Sequence, residues 1–417
     1  MLLNQSINEQ EQNKNFFLLL WQSFFFLLTI NILDKDTILP GMLSKMGADE
    51  FLIGLLSVIT IGLPKFSQIF FGLILQNKPT RKKYLLHGFG IRILSLFIIS
   101  YILWQYYLFK LSAQLTIGFI LLLFFIYSLA AAYTSVAIID LAPRALFYQN
   151  LKKFYSLKQI GYGLGIIVAI LIVRPMLKIY PYPLNYSVIH VIAGISLIIS
   201  TLVFFCIKEK IIISKLKFSL NSYFKFVFEE LKKNKSLLYL SLIVNSEGLF
   251  LSIIPFFTTL AISKFSVNVS LIGSLFVWKI AGALISSIIL STSKNYDYFN
   301  ILAINILISI ISPLIIILFA NYIITYKIIF FLVGVFASFY RITYEGLLIE
   351  ISNDKNRATY ASVLGSSNIA TFIIPLLSGI LISVIGYSIT LVSSSLLLFI
   401  TLYFMHKLKR LITYPSA

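Results

Sequence analysis

Residues 52–62 read LIGLLSVITIG, and the pattern returns 219 residues later as LIGSLFVWKIA over residues 271–281. Six positions are identical in the two stretches. The residues before them also correspond, since ILPGML around Pro40 resembles IIPFFT around Pro255. The pattern favours a chain built from two copies of one unit. A chance similarity of two apolar stretches is the alternative, because Leu, Ile and Val are so common here.

The composition of the whole chain is that of a membrane protein. Of 417 residues, 59% are hydrophobic and 12% are charged, whereas a soluble domain has roughly 45–50% apolar and about 25% charged residues. Apolar runs of about 20 residues recur along the chain, and such a run crosses a bilayer of about 30 Å as a helix. This excludes a soluble enzyme or a nucleic-acid binder. The single cysteine, Cys206, has no partner for an internal disulfide and no metal-site spacing.

Charged, proline-rich or asparagine-rich breaks divide the apolar sequence into twelve predicted spans. They lie at 16–44, 52–75, 84–107, 115–141, 158–179, 187–207, 236–262, 270–292, 299–320, 327–350, 358–384 and 387–406. Six spans separate the two copies, so both copies have the same orientation in the membrane. We therefore predict an N-terminal six-helix bundle (1–207), a central loop with an amphipathic helix (208–235) and a C-terminal six-helix bundle (236–417).

Basic residues predict the orientation of these spans. With a cytoplasmic N-terminus, 23 lysines and arginines fall on the cytoplasmic tails and connections and five on the opposite side. Cytoplasmic loops of membrane proteins carry such an excess. Both termini are therefore expected in the cytoplasm and the protein in the inner membrane. The net charge of +19 reflects topology rather than a nucleic-acid partner.

The sequence between helices 2 and 3 resembles a motif of the major facilitator superfamily. That family has a glycine, an Asp-Arg pair, and then a glycine followed by two basic residues. Here the sequence is Gly72-LILQ-Asn77-Lys78-Pro79-Thr80-Arg81-Lys82-Lys83, so the basic end is retained while Asn77 and Thr80 replace the acid and the second glycine. The resemblance implies an all-α polytopic protein of twelve helices in two six-helix bundles. It also implies a small-molecule substrate, a lipid bilayer environment and a monomer, with no enzymatic activity or cofactor.

A cytoplasmic gate follows from the same resemblance. Asp140 near the end of helix 4 is followed by Arg144, and Glu350 precedes Arg357 in the second half. In the family such groups join contacts between helices on the cytoplasmic face. Simple ionic contacts at helix ends are the alternative for these residues. The predicted gate residues are Gly72, Asn77, Lys78, Arg81, Asp140, Arg144, Glu350 and Arg357.

Acidic residues inside the spans are the candidates for proton coupling. A charge in the bilayer core costs at least about 2.5–3.5 kcal/mol, so it usually faces water or a partner. A carboxylate in a partly dehydrated cavity favours its protonated form and exchanges a proton as water access changes. Asp34 and Glu247 lie in corresponding helices, before Pro40 and Pro255. The alternative is that Asp34 or Asp36 pairs with Lys35 or Arg92 as structural support. The predicted proton-coupling residues are Asp34, Asp36, Glu247 and Glu345.

Basic and polar residues inside the spans are the candidates for substrate binding at a central site. Lys65 and Lys279 lie near the middle of helices 2 and 8, where an ammonium group suits an anionic group on a substrate or neutralises an acid. Helix 10 places Arg341 four residues before Glu345, an order that makes a weaker internal ion pair. The predicted substrate-binding residues are Asn31, Lys65, Lys279, Tyr340, Arg341 and Tyr344.

The favoured function is proton-coupled secondary transport of a small charged or amphipathic solute by alternating access. A lipid-linked saccharide flippase and a non-transporting sensor or scaffold derived from a carrier are alternatives within membrane proteins. An integral-membrane transferase should show His or Asp pairs at a membrane-edge loop, and none is evident. No His, Cys and Asp cluster has metal-ligand spacing, so no metal is expected.

Overall fold

The computed structural model of the chain describes residues 8–75, 78–211, 220–265, 269–292, 297–352 and 357–413. All regular structure within these ranges is helical. A π-helical segment, Val58–Gly62, joins α3 to α4. The helices are α1 (Glu9–Ile32), α2 (Ile38–Lys45), α3 (Glu50–Ser57), α4 (Leu63–Leu75), α5 (Lys82–Phe109), α6 (Ala113–Ala145), α7 (Tyr148–Ile179), α8 (Leu184–Cys206), α9 (Leu220–Lys233), α10 (Lys235–Phe265), α11 (Val269–Thr292), α12 (Tyr298–Leu318), α13 (Ile323–Ile351), α14 (Arg357–Ser367) and α15 (Ala370–Thr413).

These helices confirm the predicted all-α polytopic fold. Within the described residues, ten helical stretches are long and apolar enough to cross a membrane. The fifth predicted span corresponds to α7, which has 32 residues but is not one of those ten. The last two predicted spans share α15, which Gly386 interrupts with a φ of 83°. Large apolar side chains such as Leu318 and Val384 are exposed on the helix surfaces, as expected where lipid replaces water.

The helical breaks follow local chemistry. The first predicted span is divided, because α1 ends at Ile32 and α2 begins at Ile38. Asp34, Lys35 and Asp36 lie in this break, where three consecutive charged side chains disfavour a continuous apolar helix. Pro40 occupies the third position of α2, where its missing N–H costs no helical hydrogen bond. The amphipathic helix expected in the central loop is present as α9.

The chain forms two compact units. The first consists of Met1–Asp34 and Ser67–Leu220, in which α5 packs against α6 and α8, and α1 against α7 and α8. The second consists of Lys35–Phe66 and Asn221–Ala417. In it α10 packs against α15, α11 against α13, and α3 against α15. Contacts therefore group residues 35–66 with the second unit, although the sequence-based division assigns them to the N-terminal bundle.

Glycines allow the close packing of α11 on α13. A Cβ atom on Gly282 would lie 1.9 Å from the carbonyl oxygen of Phe331, and one on Gly334 would lie 1.8 Å from that of Lys279. Backbone atoms cannot rotate away from such a contact, so only glycine fits at both positions. This packing fixes the position of Lys279 beside α13.

Candidate functional site

Glu247 is a buried acid in the second unit. It lies on α10 and is 3% exposed. The amide nitrogen Nδ2 of Asn305 on α12 donates a hydrogen bond of 3.2 Å to its Oε1. No basic side chain in the described ranges is bonded to it. A carboxylate held by a neutral amide in an apolar bundle is stable as a neutral acid, so this position suits a group that takes up and releases a proton.

Asp36 and Lys279 form a buried ion pair in the same unit. Their Nζ–Oδ2 distance is 2.5 Å, and the side chains of Lys279 and Asp36 are 12% and 9% exposed. The hydroxyl of Thr258 donates a hydrogen bond of 2.7 Å to the carbonyl oxygen of Asp36. The helical break after α1 is thus held to α10 through its backbone and to α11 through its charge. Sequence reasoning selected both charged residues but did not pair them.

A series of hydrogen bonds joins Glu50, Tyr387 and Thr259 in the second unit. Sequence reasoning did not predict it. Tyr387 donates a hydrogen bond of 2.8 Å to Oε1 of Glu50. The hydroxyls of Thr259 and Tyr387 are 2.7 Å apart. Two adjacent threonines on α10 therefore contact different segments. Thr258 bonds the break before α2, and Thr259 contacts the tyrosine that is bonded to Glu50 of α3. Nothing in the local sequence of Glu50 marks this partner, which is 337 residues away.

The predicted substrate-binding aromatics form one stack on α13. The rings of Phe336 and Tyr340 are 5.8 Å apart and those of Tyr340 and Tyr344 are 6.3 Å apart, with small interplanar angles. Tyr340 also interacts electrostatically with Glu247. Arg341 is half-buried and Glu345 is exposed. The structure thus places Tyr340 within electrostatic range of the buried acid, while Glu345 is exposed.

The remaining predicted binding residues, Asn31 and Lys65, lie on α1 and α4, and the predicted proton-coupling residue Asp34 lies in the break after α1. Asn31 is half-buried on α1, and its buried Nδ2 atom has no hydrogen-bond partner. Asp34 is half-buried at the end of the first unit. Lys65 is half-buried in the second unit and lies near enough to Lys35 for a like-charge interaction. Two neighbouring ammonium groups favour an anion close to them.

Three predicted gate residues meet in the first unit, and we name them, with Glu209, the Asp140 cluster. Oδ2 of Asp140 accepts hydrogen bonds from Nε of Arg81 at 2.7 Å and Nε of Arg144 at 2.9 Å. Both arginine side chains are 5% exposed. Nη1 of Arg144 also donates a hydrogen bond of 2.9 Å to the carbonyl oxygen of Pro79. The cluster therefore ties the loop before α5 to the end of α6.

Glu209 completes this cluster and was not predicted. Its carboxylate accepts hydrogen bonds from the backbone N–H of Arg81 at 2.8 and 2.9 Å and from that of Lys82 at 2.8 Å. The N-terminus of α5 thereby receives a negative charge, which suits the positive end of its dipole. The acid replaces a side-chain cap, since Arg81 itself makes none.

The other predicted gate residues do not join the cluster through side-chain ion pairs in the described ranges. Lys78 is exposed, and its carbonyl oxygen accepts a hydrogen bond of 2.7 Å from Nη1 of Arg81. Gly72 has open space around the position of a Cβ. Glu350 is exposed at the end of α13, near Asp297. Asn77 and the side chain of Arg357 lie outside the described residues.

Solved structures of transporters share this architecture. The nucleoside transporter NupG aligns with a TM-score of 0.68 and 14% identity, over 95% of this chain and 99% of that chain. A POT family transporter, solved with a thioalcohol-conjugated peptide, aligns with a TM-score of 0.65 and 14% identity over 96% of each chain. The human organic anion transporter MFSD10 aligns with a TM-score of 0.63 and 13% identity, over 94% of this chain and 99% of that chain.

This chain has the major facilitator fold. The match covers nearly the whole chain. It confirms the architecture expected from the sequence motif over residues 72–83. At 12–14% identity it does not assign a subfamily. No family model and no curated protein matches the sequence. The ten helical stretches in the described residues that are long and apolar enough to cross a membrane agree with a protein that spans it several times.

Proposed function

We propose that this major facilitator protein is a proton-coupled secondary transporter of a small charged or amphipathic solute. The fold supports transport by alternating access of two six-helix halves, 1–207 and 236–417, linked by 208–235. Similar folds occur in a nucleoside transporter, a POT family transporter and an organic anion transporter. Such variety leaves the solute to be identified by experiment. The inner membrane, cytoplasmic termini and a monomeric state belong to the same proposal.

The burial of Glu247 carries the proposal of proton coupling. Its bonded partner is the neutral amide of Asn305, and moving a fixed negative charge through the membrane interior is costly. Uptake of a proton removes that cost. Asp34, Asp36 and Glu345 are the further coupling residues we propose.

Lys279 connects proton uptake to solute binding in this proposal. Its ammonium group is bonded to Asp36, so a solute anion that binds Lys279 competes with that carboxylate. Asp36 then accepts a proton, which links the two events. Asn31, Lys65, Tyr340, Arg341 and Tyr344 are proposed to contact the rest of the solute.

The Asp140 cluster is proposed as the cytoplasmic gate. Asp140 bonds two buried arginines, and these contacts tie together segments that lie far apart in the chain. The proposed gate also includes Gly72, Asn77, Lys78, Glu350 and Arg357, whose roles rest on their sequence positions.

Transport by proteoliposomes tests the coupling. We expect one of three labelled probes, uridine, a dipeptide or an aromatic carboxylate, to accumulate when a proton gradient is imposed. Glu247→Gln keeps the shape of the side chain and removes the titrating group. It should abolish accumulation against a gradient and leave exchange of the same probe largely intact, because exchange needs no net proton movement.

Glu229→Gln is the matched control, since Glu229 is exposed on α9. It should accumulate the probe as the unmodified protein does. Accumulation that persists in Glu247→Gln, or that depends on sodium alone, overturns the assignment of Glu247. Failure of all three probes to accumulate or exchange counts against transport and favours the sensor or flippase alternatives.

A further inference from the structure

Arg92 is a buried cation in the first unit whose described partners are all neutral. It lies on α5 and is 2% exposed. Ten residues of helix separate it from Lys82, the first residue of α5, which places it about 15 Å along the helix axis. For a helix that enters the membrane near Lys82, that is close to the middle of a hydrocarbon core of about 30 Å. The guanidinium group stays protonated in proteins, so the charge persists at this depth.

The contacts of Arg92 hold the guanidinium without neutralising it. Nη2 donates a hydrogen bond of 2.7 Å to the hydroxyl of Tyr127, and Nη1 donates one of 3.3 Å to the hydroxyl of Thr134. The guanidinium carbon lies 5.1 Å from the ring centre of Phe26, 5.2 Å from that of Phe89 and 4.6 Å from that of Tyr127. Cation–π contacts attract the charge. They leave the net charge of the site at one positive unit.

Three described acids of the first unit bond groups other than Arg92. Asp140 pairs with two arginines, Glu209 accepts from the start of α5, and Glu11 pairs with Lys208. No carboxylate in the described ranges is bonded to Arg92. By contrast, Lys279 in the second unit has the carboxylate of Asp36.

One edge of the guanidinium has an unused donor. The Nε atom of Arg92 is buried and has no hydrogen-bond partner. A buried donor without a partner is unfavourable. The N–H groups of a guanidinium form a planar fork that matches two oxygens of a carboxylate or phosphate group. Each Nη donates one hydrogen bond to a hydroxyl and carries a second N–H, so an oxyanion at Nε can also accept from a neighbouring Nη.

We propose that Arg92 binds the oxyanion group, carboxylate or phosphate, of an anionic solute within the first unit. The solute anion satisfies Nε and neutralises the charge, while Phe26, Phe89 and Tyr127 surround the bound group. Because Arg92 is buried, an entering anion displaces at least one of these rings. This assignment deepens the proposed function, on which it rests for the ligand being the transported solute.

Binding to the purified full-length protein tests the assignment without requiring transport. Benzoate and inorganic phosphate are titrated at constant ionic strength, with benzyl alcohol and chloride as controls, and the unfolding temperature is followed. At least one oxyanion should raise it saturably, while benzyl alcohol and chloride should not. Arg92→Gln should abolish the shift. Arg92→Lys keeps the charge but lacks the fork, and should weaken binding about tenfold or more.

Arg174→Gln is the matched control, since Arg174 is an exposed arginine of the same unit; its shift should equal that of the unmodified protein. The titration is repeated in detergent and in nanodiscs of anionic lipid, and a free solute shifts the unfolding temperature in both. The assignment is overturned if no oxyanion binds, if chloride or anionic lipid alone gives the shift, or if Arg92→Lys binds as tightly as the unmodified protein. Should Arg92→Gln fail to fold, Arg92→Lys decides. Oxyanion binding without transport contradicts the proposed function instead.

Discussion

Replacing Asp36 by asparagine separates the ion pair from the packing around it. The amide has nearly the same volume as the carboxylate, so helix contacts change little. Lys279, however, loses the carboxylate that lies 2.5 Å from its Nζ while its side chain remains 12% exposed. Asp36→Asn therefore measures the cost of a buried ammonium group deprived of this partner.

The expected loss of stability is about 3–5 kcal/mol, the usual cost of breaking a buried pair by removing one member. Lys279→Gln should cost a similar amount, because it leaves the Asp36 carboxylate in the same surroundings. The double variant Asp36→Asn with Lys279→Gln removes both charges and leaves two amides that can hydrogen bond. It should be more stable than either single variant, so the coupling free energy should exceed the loss in either single variant, about 3–5 kcal/mol.

Thermal unfolding in detergent, followed by tryptophan fluorescence, provides the measurement, since Trp278 directly precedes Lys279. Lys264→Gln serves as the control for loss of one positive charge in the second unit, because Lys264 is exposed. It should unfold as the unmodified protein does. Two results would refute the reasoning: an Asp36→Asn variant as stable as the parent, or a double variant whose loss equals the sum of the two single losses.

Three further predictions concern the fold and topology. Asp140→Asn should lower the unfolding temperature, because two buried arginines lose one carboxylate; an unchanged temperature contradicts this. Gly282→Ala should destabilise by about 1–3 kcal/mol through overpacking, since its Cβ would meet a backbone oxygen at 1.9 Å. Gly90→Ala, with nothing within 4 Å, should not, and equal losses would be inconsistent with this packing. In a variant lacking the exposed native cysteine, Lys110→Cys should react with an impermeant thiol reagent in intact cells and Lys82→Cys should not; the reverse pattern would overturn the proposed orientation.

The helical architecture was accessible from the sequence because hydropathy acts locally. Each predicted span falls on helical segments, the first on α1 and α2 and the second on α3 and α4, and Gly386 breaks α15 where the gap between the last two spans was placed. The division of the first span after Ile32 required knowing that Asp34, Lys35 and Asp36 end a helix rather than face a cavity. The grouping of residues 35–66 with the second unit depends on packing far along the chain, which periodicity does not report.

The candidate site was accessible only in part, because charged residues can be found locally while their partners cannot. Asp140 and Arg144 were selected as gate residues with ionic contacts at helix ends as the alternative, and the structure contains an ion pair between them. Glu209 was missed because it bonds backbone N–H groups 127 and 128 residues away. Asp36 was found as an intramembrane acid, yet its bond to Lys279 spans 243 residues. For Arg92, the sequence left pairing with a nearby acid open, and the structure surrounds it with rings and hydroxyls.

The two buried charges with neutral described partners call for different chemistry, although both belong to the same kind of helical bundle. Glu247 is bonded to an amide and can become neutral by accepting a proton from water. Arg92 is bonded to two hydroxyls and has no corresponding route, because a guanidinium does not lose its proton in proteins. Its charge is neutralised only by an anion that comes from elsewhere. Equal burial of an acid and an arginine therefore predicts proton uptake at Glu247 and anion binding at Arg92. The Glu247→Gln and Arg92→Lys variants should consequently fail in different assays, the first in accumulation and the second in binding.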